Sequence, residues 1–442
     1  MTKRKNYKFS TLFVYYVVLS TSILKISLQL SAKSADYNAN KRSLDKDHCE
    51  KVPLKPQIWN QLNMNSYLDN YPGGHQLNMM DFAATVGATD FYVGIGEHPN
   101  PGQLCQPVRG KDWYTLIAIQ NWNAYVNCLY DSAGYAFGAL SGVVPGMLID
   151  FEQDPTRFYS RTATYIGLAA TWITSFPGVI LSSWGPYTGG MFCSIGDIAW
   201  NYLMGVMYLS ISAAFINSIL IVGSGEDRFK RSAVIARMLT ESQRAVQSTI
   251  SNLTQNILRN PINQVSGLAG INRDGSFLSE MPSNFQSKLQ AELELALKLK
   301  SLAKFLRVQN AFIVRGSDTC TQSGANGAFD LSETISYCGD DNIMMNIVRA
   351  EINGTRYDST IYNAHLIESK YGYSPGFLTT LAWDCQKTHG VFEYDSCSAH
   401  NNRDCYFNLP VCDLTRPDLQ ARRKNKSLSI TQICRLFGGL PI

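Results

Sequence analysis

The sequence predicts a mainly α protein that ends in a disulfide-rich cap. Three observations predict it. Apolar residues recur at helical spacing in several long stretches. One charged residue, Asp197, occurs between Arg161 and Glu226. Seven of the eleven cysteines fall after residue 316, where periodicity is poor. The expected parts are a helical N-terminal module, a central apolar helical hairpin with long amphipathic helices, and an α+β C-terminal cap.

With 442 residues, 45% of them hydrophobic, the chain is long enough for two or three domains. Its 23 Tyr, 20 Phe and 7 Trp exclude a wholly disordered protein, because they bury a large core. The formal net charge is +4. That charge belongs to the N-terminus. Lys3, Arg4, Lys5 and Lys8 precede an apolar run from Phe9 to Leu24, and Ala32 and Ser34 supply the small residues of a cleavage site. Residues 1–34 therefore read as a secretory signal. Its removal takes away six positive charges and no negative ones, leaving 33 Lys+Arg against 35 Asp+Glu. Phosphate binding needs clustered positive charge, so no nucleic-acid partner is expected.

Residues 35–48 read as a polar linker. Residues 49–131 form the helical module, with short helices at Ile58–Tyr67 and Leu77–Val86. Asp112 opens a longer helix, where Ile119, Trp122, Val126 and Leu129 make an apolar stripe. An acid at a helix start suits the helix dipole. Residues 132–225 are the apolar hairpin region. Ala163–Trp184 and Ile198–Val222 are each long enough to cross a bilayer as a helix, which takes roughly 20 residues. A Gly-rich connector separates them. At the chain's 17% charge the stretch from Arg161 to Glu226 should hold about 11 charges rather than one.

Residues 226–316 return to amphipathic helix. Ile235, Leu239, Val246, Ile250, Leu253 and Ile257 form a near-heptad stripe that Pro261 ends. A second helix is expected from Ser283 or Asn284 to about Val314. One of its faces is mixed, carrying Leu289, Leu293, Ala296, Lys300, Ala303 and Arg307. The better stripe holds Phe285, Leu295, Leu299, Leu302, Leu306 and Ile313. The two helices are expected to pair as an antiparallel hairpin about 45 Å long, at 1.5 Å per residue. Residues 317–442 are the cap, with short strands expected at Arg356–Tyr362 and Gly390–Tyr394.

In a secretory compartment the cysteines read as disulfides. The candidates are Cys49, Cys105, Cys128, Cys320, Cys338, Cys385, Cys397, Cys405, Cys412 and Cys434, with Cys193 left over. Asn252, Asn353 and Asn425 are candidate glycosylation acceptors.

The hairpin has three readings. As two constitutive spans it places its flanking Arg and Lys residues outside, against the positive-inside preference. It is otherwise the buried core of a soluble protein, or a device that inserts into a membrane conditionally. The residues that would enter a bilayer are Ile166, Trp172, Ile180, Leu181, Trp184, Trp200, Leu203, Met207, Ile211, Ile216 and Ile219.

No catalytic, metal or cofactor constellation is expected. Glu97-His98 lies in a turn flanked by proline. No two histidines have helical metal spacing. Asp340-Asp341 follows Cys338 as a solvated turn, and Cys385 near His389 reads as an oxidised cysteine.

One segment carries motifs. Tyr71-Pro72-Gly73-Gly74, Gly94-Ile95-Gly96-Glu97, Gly102-Gln103-Leu104-Cys105, Pro107-Val108-Arg109-Gly110-Lys111-Asp112-Trp113-Tyr114 and Gln120-Asn121-Trp122-Asn123 follow one another. Over residues 48–130 this resembles a family of secreted fungal proteins of unknown function. The family pattern carries two further cysteines around the Gly-Ile-Gly turn, where this chain has Val93 and Pro99. The resemblance implies secretion and a fungal origin, and it transfers no catalytic residue.

The functional expectation is a secreted, non-enzymatic protein acting at membranes through the hairpin. Its partners are a lipid membrane or another protein. A soluble binding protein with the hairpin buried is one alternative, and a hydrolase with a non-sequential site is another.

Overall fold

The computed structural model describes residues 49, 52–151, 228–320, 332–351, 357–390, 405–424 and 428–442. By contacts the chain divides into residues 1–50 and 51–442, and the elements below belong to the second unit. The expected linker, the apolar hairpin residues 163–222 and all eleven candidate membrane residues lie outside the described residues.

The chain opens with helices α1 (Pro56–Gln61), α2 (Met64–Asp69) and α3 (Met79–Thr85). The single helix expected over Ile58–Tyr67 is broken in two at Asn63, whose φ of 52° is left-handed. The side chain of Asn78 caps α3 and Asp81 bonds back to it, a reciprocal box that fixes where the helix starts. A short hairpin follows, β1 (Gly102–Gln103) with β2 (Gln106–Pro107).

Helix α4 (Gly110–Phe151) runs without interruption across residue 131, where the charge content of the sequence changes. Ile119, Trp122, Val126 and Leu129 are all buried, as their spacing predicts. Each large apolar side chain buried in this way contributes about 1.5–3 kcal/mol. Asp112 sits in the first turn and accepts a hydrogen bond from the Tyr67 hydroxyl. Of the described helices, α4 is long and apolar enough to cross a membrane, and half of its most apolar window is buried in the protein. A core helix of a soluble protein passes the same test.

Helices α5 (Arg228–Arg259) and α7 (Phe285–Val308) both pack along α4, one to each side. This corrects the expected pairing: their main partner is α4 rather than each other. The reason is that α4 offers buried residues nearly all round. Helix α5 runs antiparallel to α4. Gln247 Nε2 donates to Tyr130 O at 3.1 Å, while Gln243, one turn earlier on α5, lies beside Gly134, one turn later on α4. Helix α7 runs parallel to α4, since Tyr125 meets Phe285 and Gln309 bonds to Phe151 O. The short helix α6 (Leu268–Ile271) sits between α5 and α7 in sequence.

Helix α7 stops at Val308, not at Val314. Gln309 caps it and Asn310 turns left-handed with a φ of 58°. The β-branched and aromatic run that follows is strand β3 (Ala311–Arg315). It joins β4 (Ile335–Cys338), β5 (Met344–Ala350), β6 (Tyr357–Asp358) and β7 (Val411–Asp413). The path is β4-β5-β3-β7, with β6 paired to β5. Strands β3 and β7 are parallel, and the other pairs are antiparallel.

Every residue of β3 is buried, because the sheet separates two cores. Ala311 and Ile313 of β3, with Met345 and Ile347 of β5, face the helical core. Phe312 and Val314, with Val348 and Ala350, face a second core holding Cys412, Leu419, Ile433 and Leu440. Helices α8 (His365–Ser369) and α9 (Pro375–His389) follow the sheet, and α10 (Pro417–Arg423) and α11 (Ile430–Leu436) close the second core. The C-terminal part is therefore α+β and cysteine-rich within a mainly α chain.

Candidate functional site

The uncharged stretch after Arg161, expected from the sequence to be a hairpin, lies outside the described residues. Among the described residues, the site bearing on it is the place where the chain departs and returns. The departure is Phe151, at the end of α4, and the return is Arg228, at the start of α5. The two helices are antiparallel and meet around Tyr130 and Gln247. Counting from there, 1.5 Å per residue brings Phe151 and Arg228 to the same end of the helical layer.

That end of α4 is held by the C-terminal part. Asp150 Oδ2 accepts from Lys370 Nζ and from the Tyr371 hydroxyl, both at 2.6 Å. Asn363 Nδ2 donates to Asp150 O at 2.7 Å, and Gln309 bonds to Phe151 O. The Tyr371 ring lies against Phe151, with centroids 5.6 Å apart. Burial raises the Tyr371 phenol well above its ordinary pKa, and the Asp150 carboxylate adds to this, so the hydroxyl stays a donor. The carbonyls left over at a helix C-terminus thus have fixed partners. Lys370 also complements the negative end of the helix dipole. No sequence spacing reveals this clamp, since Lys370 lies 220 positions after Asp150.

The motif segment forms a second ordered site. Asn123 Oδ1 accepts from Gly94 N at 2.9 Å, and its Nδ2 donates to Glu97 O at 2.6 Å. Asn127 Oδ1 accepts from Gly96 N at 2.8 Å, and its Nδ2 donates to Gly94 O and Glu97 O. Asn121 Nδ2 donates to Phe277 O at 2.9 Å. Asn123 and Asn127, one turn apart on α4, therefore hold the Gly-Ile-Gly turn, and the buried Asn121 amide holds the loop after α6. Backbone N–H and C=O groups of such a loop need partners when water is excluded. The motifs Gly94–Glu97 and Gln120–Asn123 are thus two halves of one structural contact. Gly94 and Gly96 have φ of 154° and 84°, which favours glycine there. Glu97 and His98 are exposed on the turn, and the Glu97 backbone serves this contact.

At the start of α4, burial pushes the Asp112 carboxyl up, and its bond from Tyr67 opposes the rise. Lys111 sits over the Tyr67 ring at 5.3 Å. On α7, Lys300 interrupts a line on which Leu289, Leu293, Ala296 and Ala303 are buried. Burial lowers its pKa to about 8. Beside the sheet, Arg315 bonds to Asp413, Thr415 and Asp341 and stacks on Trp383 at 4.7 Å. Asp341 is therefore occupied by an arginine. Among the described residues no group of three His, Cys, Asp or Glu side chains is placed to hold a metal ion.

Disulfides join Cys320 to Cys338, Cys385 to Cys405 and Cys412 to Cys434. Cys49 and Cys105 are disulfide-bonded as well. Cys385 is thus oxidised, as its reading near His389 expects. Cys128, expected among the bonded cysteines, is corrected to a free and buried thiol. It lies inside α4 beside Ser132, facing the helical core. Burial raises its pKa to about 11. Cys193 and Cys397 lie outside the described residues, as do Asn353 and Asn425. Asn252 is exposed on α5, while Thr254 of the same acceptor motif is buried and bonds to Ile250 O at 2.7 Å.

These disulfides are consistent with an extracellular protein. No curated protein matches the chain, and no solved structure does. The matched family model begins at the return point of the chain rather than at the motif segment 48–130: residues 223–442 carry the domain described as Domain of unknown function (DUF7872).

Proposed function

We propose that this is a secreted, non-enzymatic protein that acts at membranes through an apolar helical hairpin in residues 163–222, by binding to the bilayer or inserting into it. A fungal origin, implied by the motif resemblance, goes with this reading. One observation carries it: Asp197 is the sole charge between Arg161 and Glu226. Each charged side chain at a bilayer centre costs roughly 2.5–3.5 kcal/mol or more, so a segment meant to enter lipid must lack them. The clamp at Asp150 supports the reading, because it anchors one root of the segment to the folded part.

The second reading keeps the segment as core of a soluble binding protein. The observation that favours it is α4 itself, a long apolar helix whose large side chains serve as core. Flotation of residues 35–442 with liposomes, with dye leakage read in parallel, separates the two. On uncharged phosphatidylcholine liposomes the membrane reading expects flotation and leakage that are abolished by Ile180→Asp with Ile211→Asp. Unchanged flotation of that variant ends it, and absence of binding across pH and lipid composition leaves the soluble reading.

A further inference from the structure

One basic run of the folded part lies on two short helices that meet. From Arg416 to the C-terminus the chain holds Arg416, Arg422, Arg423, Lys424, Lys426 and Arg435 against a single acid, Asp418. Asp418 is consumed at the start of α10 by Arg416, at 2.7 Å. Arg422, Arg423 and Lys424 end the same helix and are exposed. The Arg422 guanidinium lies 3.6 Å above the Phe437 ring, which ties it to the end of α11. There Arg435 is exposed, and Leu436, between Arg435 and Phe437, is 64% exposed. Leu436 is the most exposed large apolar side chain among the described residues. Arg423 donates to the carbonyls of Gly316 and Ser317, bonds that orient its guanidinium without cancelling its charge, and Arg435 donates to Ile442 O.

We infer that this face, Arg422, Arg423, Lys424, Arg435 and Leu436, docks on the surface of an anionic phospholipid bilayer. The charge complementarity argues for it: clusters of four or more basic residues attract anionic headgroups, at about 1 kcal/mol per residue. Leu436 argues for lipid over another polyanion. A side chain exposed among cations gains from entering the headgroup boundary and gains nothing from a phosphate backbone. The inference rests on the membrane reading above and adds to it the lipid class and the face that meets it.

The test is flotation of the full secreted chain with vesicles of phosphatidylcholine, alone or mixed with phosphatidylserine, across a salt series. Binding to the mixed vesicles should be the stronger and should fall with salt. Arg422→Gln, Lys424→Gln and Arg435→Gln together should weaken it about 100-fold, following the same per-residue attraction. Leu436→Ser should weaken it severalfold. Its side chain is solvent-exposed, so its effect is not one of folding. Equal binding to both vesicles, no binding to either, or full binding by the triple variant overturns the inference. So does capture by a single-stranded oligonucleotide that matches the vesicles and ignores Leu436→Ser. The Ile180→Asp, Ile211→Asp protein should keep serine-lipid-dependent flotation while losing leakage. If leakage fails in the native protein and that flotation persists, the hairpin reading fails and the docking face stands.

Discussion

Lys370 Nζ lies 2.6 Å from Asp150 Oδ2, joining the last turn of α4 to the start of the segment that leads into α9. Tyr371 shares the same oxygen. The lysine is half exposed, so its pair is screened by solvent and its removal should cost under about 1 kcal/mol. Asp150→Ala removes the acceptor of both donors and should cost about 1–3 kcal/mol. Urea unfolding of Lys370→Ala and Asp150→Ala measures the difference. Equal midpoints for the two variants would show that the carboxylate is not the centre of the clamp.

Asn127 satisfies one N–H and two carbonyls of the Gly94–Glu97 turn. Asn127→Ala leaves all three without it and should cost about 1–3 kcal/mol. Asn127→Asp should do no better, because it sets a carboxylate against two carbonyl oxygens. Hydrogen exchange at Gly96 should speed up in both variants. Unchanged protection at Gly96 in Asn127→Ala counts against the amide as the turn's anchor.

The Cys128 thiol is buried and pushed up to about 11. At pH 8 it is almost wholly protonated, and the thiolate is the reactive form. Alkylation followed by peptide mass spectrometry should leave Cys128 unmodified in the native protein and modified in denaturant. Rapid native labelling at pH 8 would place it at a surface instead.

Lys300 carries a folded-state pKa lowered to about 8 by burial. An unfolded lysine titrates near 10.4. Between those values the unfolded chain binds more protons, so stability rises with pH. Below pH 8 the burden is fully present, and it is relieved as pH climbs toward 10. The melting temperature of the native protein relative to Lys300→Met should therefore increase from pH 7.5 to pH 10. A constant difference over that range would show that Lys300 keeps an ordinary pKa.

Much of the helical layer is readable from local signals. The stripe from Ile119 to Leu129 is buried on α4, and Pro261 follows the end of α5 at Arg259. Asn78 and Asp81 announce the start of α3. What local signals do not carry is partnership. The stripes of α5 and α7 look complementary to each other, yet α4 takes both. The apolar run Ala311–Val314 fits the helical phase of α7, and only the left-handed turn at Asn310 makes it a strand. Within α4, Gly134, Gly138, Gly142 and Pro145 are poor helix formers, and tertiary packing overrides them. At the candidate site, the absence of charge is written in the sequence. The clamp of Asp150 by Lys370 and Tyr371 is not, because nothing local links positions so far apart. Cys128 was indistinguishable in sequence from its oxidised neighbours, since pairing depends on which cysteines the fold brings together.

The flanking of α4 by α5 and α7 has a consequence for where this protein can be cut. The matched domain begins at residue 223, but the apolar faces of its two long helices are covered by α4, which precedes it. The folding unit is thus discontinuous: its first half lies on one side of the uncharged stretch and its second half on the other. Residues 223–442 produced alone would present a bare seam along α5 and α7 and should aggregate. Supplying residues 49–151 as a separate chain should restore solubility.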